Sequence, residues 1–205
     1  LDALTSGDSN VAIGFEAGTS ITSADGNVLV GYRAGENITE NGYNVLVGAN
    51  AGEAITTGVR NIMLGQAGNE FDAENDNLGI GHGALASNIA GGEYNVAVGN
   101  FSLNDLTSGD NVVAVGYAAG TSITTGANSV FVGYDAGGDI TTGEHNVFVG
   151  NAAGNGFDTE SHNLGIGTDA LGGAIAGGEY NVAIGNYSGD AITSGDSNTL
   201  VGYNV

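Results

Sequence analysis

The 205-residue chain carries 23 acidic residues against two arginines and no lysine, a formal net charge of −21. That balance excludes nucleic-acid binding, which needs cations to displace counterions from phosphate, and argues against docking on an anionic membrane surface. There are 39 glycines but no proline and no cysteine, so collagen, a disulfide framework and a thiolate metal site are all excluded, and no apolar run approaches the ~20 residues of a membrane span.

From Asn10 onward, one phrase is written about twelve times: Asn-Val-x-Val-Gly-x-x-Ala-Gly, a spacer, then Ile-Thr-x-Gly. Its anchor glycines are Gly14, Gly31, Gly48, Gly65, Gly81, Gly99, Gly116, Gly133, Gly150, Gly167, Gly185 and Gly202, at intervals of 16 to 18 residues. A period this short and steady predicts one supersecondary unit stacked on copies of itself. The expected fold is all-β, a parallel β-solenoid or β-roll of about 12 coils of ~17 residues, with residues 1–205 forming a single solenoid.

Counting from the anchor glycine, positions −3 and −1 hold two columns of Val, Ile and Leu, Val28 and Val30 or Val130 and Val132 among them. Residues two apart share one face of a strand, and these columns are read as the coil interior. Val30, Val47, Val132 and Val149 are therefore expected to be buried. Near position +7 runs a third apolar column, from Ile21, Ile38, Ile55, Phe71 and Ile89 to Ile175 and Ile192, read as a second short strand facing back across the coil. The Ala-Gly pairs between the columns, such as Ala119-Gly120, read as tight turns that need small side chains. Asn10, Asn27, Asn44 and their successors stand before the first strand and read as an amide ladder from coil to coil.

Position −2 points away from those two columns and should be polar in a lone solenoid. It instead holds only Ala, Gly, Leu, Met and Phe. This stripe exceeds what monomers usually expose, so self-association is expected along Leu29, Leu46, Met63, Phe131, Phe148 and Leu200.

A longer period overlies the coils. Phe71 to Gly81 recurs as Phe157 to Gly167, 86 residues on, and Ala17 to Thr22 recurs as Ala119 to Thr124. Blocks span about 10–111 and 112–197, with a third starting at 198. Leu1 to Asp8 matches the close of a block, Leu103 to Asp110. The chain thus reads as a window of a longer array, or as a subunit that stacks end to end.

Candidate chemistry is sparse. Asp72, Glu74 and Asp76 alternate and offer oxygen ligands to Ca²⁺, but the second copy replaces the third by His162, a poor calcium ligand. A solvated acidic turn is the expected reading, with no resident cofactor. His82, His145 and His162 are read as sharing no register, which argues against a metal or catalytic role. Phe15, Tyr32, Tyr117, Tyr134 and Tyr203 offer stacking surfaces for sugars, against a plainer reading as cross-coil packing. The outward threonines, Thr22, Thr39, Thr56 and Thr124 among them, suggest an ice-binding ladder, but Asp72, Ala90, Asp158 and Ala176 interrupt the column.

Asn10 to Ala17 reads Asn-Val-Ala-Ile-Gly-Phe-Glu-Ala, and Asn95 to Ser102 and Asn181 to Ser188 nearly repeat it. The phrase resembles the head repeat of trimeric autotransporter adhesins, and its style is similar to Asn- and Gly-rich stretches of bacteriophage tail fibres. The resemblance implies a left-handed parallel β-roll with three chains around one axis, and it brings no catalytic residue. The unit here is about 17 residues, longer than the adhesin-head unit.

The expectation is a structural, extracellular fibre or filament segment on a cell or virion surface: adhesin shaft or head, or phage fibre. It is expected to be no enzyme, to associate with itself as a homotrimer, and not to insert into a membrane. A receptor- or glycan-binding module on the same solenoid is the alternative, and a polysaccharide depolymerase ranks third.

Overall fold

A computed structural model describes residues 1–87, 90–173 and 177–205. Ile89, Ile175 and Ala176, used above, lie outside the described residues. Twelve three-residue strands follow in chain order: β1 (Val11–Ile13), β2 (Val28–Val30), β3 (Val45–Val47), β4 (Ile62–Leu64), β5 (Leu78–Ile80), β6 (Val96–Val98), β7 (Val113–Val115), β8 (Val130–Val132), β9 (Val147–Val149), β10 (Leu164–Ile166), β11 (Val182–Ile184) and β12 (Thr199–Val201). They form one parallel sheet in sequence order, each strand pairing with the next. The protein is a β-solenoid, as its period predicts.

Register is uniform. Val11 pairs with Val28, Ala12 with Leu29 and Ile13 with Val30, and the anchor columns stay aligned through β12. The 18-residue intervals do not disturb this: Leu78 still pairs with Val96 and Leu164 with Val182. The extra residue is absorbed in the connection, because a one-residue slip in the strand would turn every side chain to the wrong face.

Each strand is short because both of its ends are bent. The anchor glycines after β1–β3 and β5–β12 have φ between +131° and +148°, and at Gly65, after β4, it is +92°. A Cβ on Gly133 would drive into the carbonyl of Gly150 on the next coil. On the other side, position −5 is left-handed in almost every coil, as at Tyr43 (φ 64°), Asn128 (φ 54°) and His162 (φ 62°). Between these bends lie the buried Asn column and three extended residues.

The strands face the opposite way from the sequence reading. Position −2 points into the coil: Leu29, Leu46, Met63, Phe131 and Phe148 are fully buried within the single chain, and Leu200, on the twelfth strand, is half-buried. Val30, Val132 and Val149 are only half-buried, and Val47 is exposed. None of the 24 residues at positions −3 and −1 is buried. Here the middle residue of each three-residue strand points inward and the two flanking residues outward, so the more numerous β-branched columns are the outer ones. The expected association stripe along Leu29, Leu46, Met63, Phe131, Phe148 and Leu200 is therefore the core of the coil.

The third column is interior, as read: Ile21, Ile38, Ile55, Phe71, Leu106, Ile123, Ile140 and Phe157 are all fully buried. It does not form a second strand. Its backbone runs as bends, tied to neighbouring coils by bonds such as Thr22 N–H to Thr39 O (2.9 Å) and Thr124 N–H to Thr141 O (2.8 Å). The turn alanines, Ala34, Ala51, Ala119 and Ala136 among them, complete the core.

Core volume is balanced within a coil or between adjoining coils. Where position −2 is large, position +4 or its equivalent is glycine: Leu29 with Gly35, Met63 with Gly68, Phe131 with Gly137, Phe148 with Gly154. A Cβ on Gly35 would stand 2.9 Å from Leu29 Cδ2, and one on Gly137 2.5 Å from Phe131 Cδ1. In three of the coils where position −2 is small, the partner is leucine: Gly79 with Leu85, Ala97 with Leu103, Gly165 with Leu171; Ala12 and Ala183 keep glycine partners, Gly18 and Gly189, against which Leu29 and Leu171 of the adjoining coils close in. Leu85, Leu103 and Leu171 are fully buried yet left-handed, with φ of 50°, 48° and 54°. That conformation is unfavourable for a leucine, and filling the space offsets the strain. Ala114 pairs with Gly120, where Phe131 and Leu103 of the adjoining coils close in from either side.

Candidate functional site

The side chains that could carry chemistry recur in rows along the stack. The first is the amide ladder, which the structure forms as read. Asn27 Oδ1 accepts the backbone N–H of Asn44 (3.0 Å), Asn44 Oδ1 that of Asn61 (2.9 Å), and Asn61 Oδ1 that of Asn77 (3.1 Å). Several Nδ2 groups reach sideways, as Asn61 does to Glu74 O (2.7 Å) and Asn146 to Glu160 O (2.8 Å), while Asn27, Asn181 and Asn198 donate along the ladder to the preceding Asn Oδ1 (3.0, 3.2 and 2.9 Å). Val112 and Ser129 replace Asn in two coils; Ser129 Oγ still accepts Asn146 N–H at 3.1 Å. Every buried side-chain N and O atom among the described residues has a partner, so the row is used up by the fold and offers nothing to a ligand.

The second row holds the acidic turn. Asp72, Glu74 and Asp76 do not converge. Glu74 is nearly buried, and its carboxylate accepts N–H bonds from Asp72 (3.0 Å), Ala73 (3.1 Å) and, on the next coil, Gly91 (3.1 Å). Asp72 accepts the Thr56 hydroxyl. Asp76 faces outward and takes a two-pronged contact from Arg60 at 2.6 and 2.7 Å. That guanidinium, chiefly by hydrogen bonding, holds the Asp76 carboxyl below the usual range. In the second copy Glu160 repeats the Glu74 role with Asp158, Thr159 and Gly177 N–H at 2.9, 3.1 and 2.8 Å. Glu74 and Glu160 are thus backbone staples between coils. Among the described residues no group of three or more His, Asp or Glu side chains is placed to hold a metal ion.

The third row is aromatic. Phe15 stacks on Tyr32 with centroids 5.6 Å apart, and Tyr117 on Tyr134 at 5.4 Å, with Phe101 edge-on to Tyr117 at 5.8 Å. All of these except Phe101 are exposed. Because neighbours cover ring faces, a sugar meets mainly ring edges, apart from the last ring of each row. His145 and His162 correct the sequence reading: both occupy position −5, and their rings stack at 4.9 Å, with Tyr180 next at 4.8 Å. The signal lies in the sequence: each histidine stands five residues before its anchor glycine, Gly150 and Gly167.

The threonine column turns its hydroxyls into the stack, Thr22 Oγ1 donating to Thr39 O (3.1 Å) and Thr107 Oγ1 to Thr124 O (3.0 Å). Those donors are taken by the next coil, which weakens the ice-binding reading. The Asp135 carboxyl is held above its usual range, by burial first and then by the nearby charge of Asp139. A hollow of about 290 Å³ lies between Gly189–Ile192 and Leu200, Asn204 and Val205, with Asp190 its one titratable wall residue.

What remains is the outer face of the sheet. Positions −3 and −1 of β1–β12 carry Val, Ile or Leu at 23 of 24 places, Thr199 being the exception. Ile13, Ile62, Val115 and Ile184 are among its exposed members. This face was legible in the sequence as a pattern but was assigned to the wrong side.

No family model matches the chain, no curated protein matches it, and no solved structure matches it.

Proposed function

We propose that this chain is a segment of a structural extracellular fibre or filament on a cell or virion surface, one that self-assembles and presents a repetitive surface. The observation that supports this best is the unbroken register of twelve paired strands, with polar groups spent on joining one coil to the next. Such a stack transmits length: at ~4.8 Å per coil the rod measures about 55 Å. Acidic groups are distributed as staples and solvated turns, not gathered around a cleft, so we assign no catalytic role. Adhesin shaft, adhesin head and phage fibre are the forms this reading takes, following the Asn10–Ala17 resemblance. Antibody against the purified chain should label filaments on intact cells or virions; label confined to cell interiors would sink the proposal.

A second reading, a glycan- or receptor-binding module on the same solenoid, draws support from the exposed aromatic row. Its test is a glycan array with Tyr32→Ala, Tyr117→Ala and Tyr134→Ala. Binding by the parent chain that the variant loses would favour it over a purely mechanical role.

A further inference from the structure

We propose that the outer face of β1–β12 is the surface on which this chain packs against other copies of itself. The inference rests on the fibre reading above and names the partner and the contact surface.

Three observations on this face support one occupant. Its area is the first. Twelve strands at ~4.8 Å spacing and three residues of ~3.3 Å give an aliphatic face on the order of 550 Å², or about 900 Å² with the mixed aromatic and polar rim at position +1, Tyr117 and Asn100 among it. The aliphatic part stands at the upper end of the about 300–600 Å² that the largest patch of a monomer reaches, and with its polar rim the face matches the about 800 Å² per partner that a stable interface buries. The second is charge. Positions −3, −1 and +1 make 36 places over twelve coils and hold none of the 23 acidic residues and neither arginine. At the chain-wide share of 23 in 205, about four acids belong there. A chain with net charge −21 has kept one side uncharged along its whole stack.

The third is pitch. The side chains of this face repeat once per coil, in strict register from Val11 to Thr199. A surface that meshes with such a ladder over twelve steps must have the same step. Another copy of this chain has it, and packs sheet against sheet at ~10 Å with aliphatic columns interdigitated. Two copies face to face, or three around an axis, both cover the face.

Val47, Val115 and Ile184 point outward from β3, β7 and β11, so changing them leaves the interior of the coil untouched. The full chain should have an integral multiple of 20.2 kDa in solution by light scattering. The triple variant Val47→Lys, Val115→Lys, Ile184→Lys should fall to 20.2 kDa with unchanged far-UV circular dichroism. The milder triple Thr variant keeps shape and β-propensity and should dissociate at dilutions where the parent remains assembled. Added salt should strengthen association, since the acids on the other columns repel and are screened beyond ~8 Å at physiological ionic strength. A parent chain at 20.2 kDa at every concentration overturns the proposal, as does a Lys variant that keeps the assembled mass or an association that salt weakens. A parent that stays at that mass alone but gains mass on zwitterionic vesicles assigns the face to lipid and also overturns it. A monomeric rod by electron microscopy would remove this interface and leave the fibre reading standing. An assembly through this face confined to cell interiors would do the reverse.

Discussion

The two faces of the sheet differ in how their side chains vary. The inner column at position −2 ranges from Gly79 and Gly165 through Ala97 and Met63 to Phe131 and Phe148. The outer columns hardly vary at all: Val, Ile or Leu at 23 of 24 places. Variation inside is compensated, either within the coil, where Leu85, Leu103 and Leu171 answer a small position −2, or from the adjoining coils, whose Leu29, Phe131 and Leu171 close on Gly18, Gly120 and Gly189. Close packing conserves the volume of the interior, not the identity of one column. Uniformity outside has two sources to separate: the strand preference of Val and Ile, which acts on either face, and cover by other copies, as proposed above. In a solenoid, covariation in size marks the interior, and monotony marks a surface.

The comparison breaks most readily at a large inner residue. Phe148 is fully buried, with Phe131 at 6.1 Å and Phe157 at 5.2 Å between centroids. Phe148→Ala should cost about 3–5 kcal/mol in denaturant unfolding. An effect below about 1 kcal/mol, the range of a surface change, would mean that position −2 does not face the core.

The amide ladder is the next strongest term. Asn61→Ala removes the acceptor for Asn77 N–H and the donor to Glu74 O, both buried. A buried group left unpaired costs about 1–3 kcal/mol, so a loss of about 2–4 kcal/mol is expected. Hydrogen exchange should show Asn77 N–H losing protection while Asn163 N–H, in the other block, keeps it. Uniform loss along the chain would mean that the coils are not locally separable.

Much of this architecture was legible. The anchor glycines gave the period, because only glycine fits where Gly133 meets Gly150, and Asn10 to Asn198 gave the ladder. The facing of the strands was not recovered, for a physical reason. Alternation assigns sides relative to one another but not in absolute terms, and β-branching does not decide between them, because it favours strands on either face. Position +4 held the deciding signal: Leu85, Leu103 and Leu171 stand where the other coils have glycine, and each answers a Gly or Ala at position −2. The second strand failed for a different reason. Ile21, Ile38 and Ile55 recur once per coil, so they establish burial of one column but not the two-residue alternation that defines a strand. The candidate site was legible only as an uncharged stripe, and it lies on the columns that had been put inside.

Compensation itself can be tested by a swap. Gly79 sits in β5, and a Cβ there would meet Met63 Sδ at 2.8 Å, Ala67 Cβ at 3.2 Å and Leu85 Cδ1 at 3.5 Å. Gly79→Leu alone should overpack the coil and cost about 1–3 kcal/mol. Leu85→Gly alone relieves a left-handed leucine but leaves a cavity, and should also destabilise. The double variant rebuilds the pattern of Leu46 with Gly52. Its cost should fall short of the sum of the two singles by about 0.5–3 kcal/mol in a double-mutant cycle. Additive costs would show that the two positions do not share one space.

The smallest effect tests the outer face. Val115 lies on β7 with its side chain exposed, and Thr has nearly its shape and a good strand propensity. Within one chain, Val115→Thr should change stability by no more than about 0.5 kcal/mol, as surface substitutions do. If other copies cover the face, unfolding is linked to association, and the parent's midpoint rises with protein concentration. The variant should then match the parent at high dilution and fall progressively behind as concentration increases. A difference that is the same at every concentration would place Val115 in an intrachain contact. The absence of any difference across the range would mean that the aliphatic face stays in water, and that its uniformity has another cause.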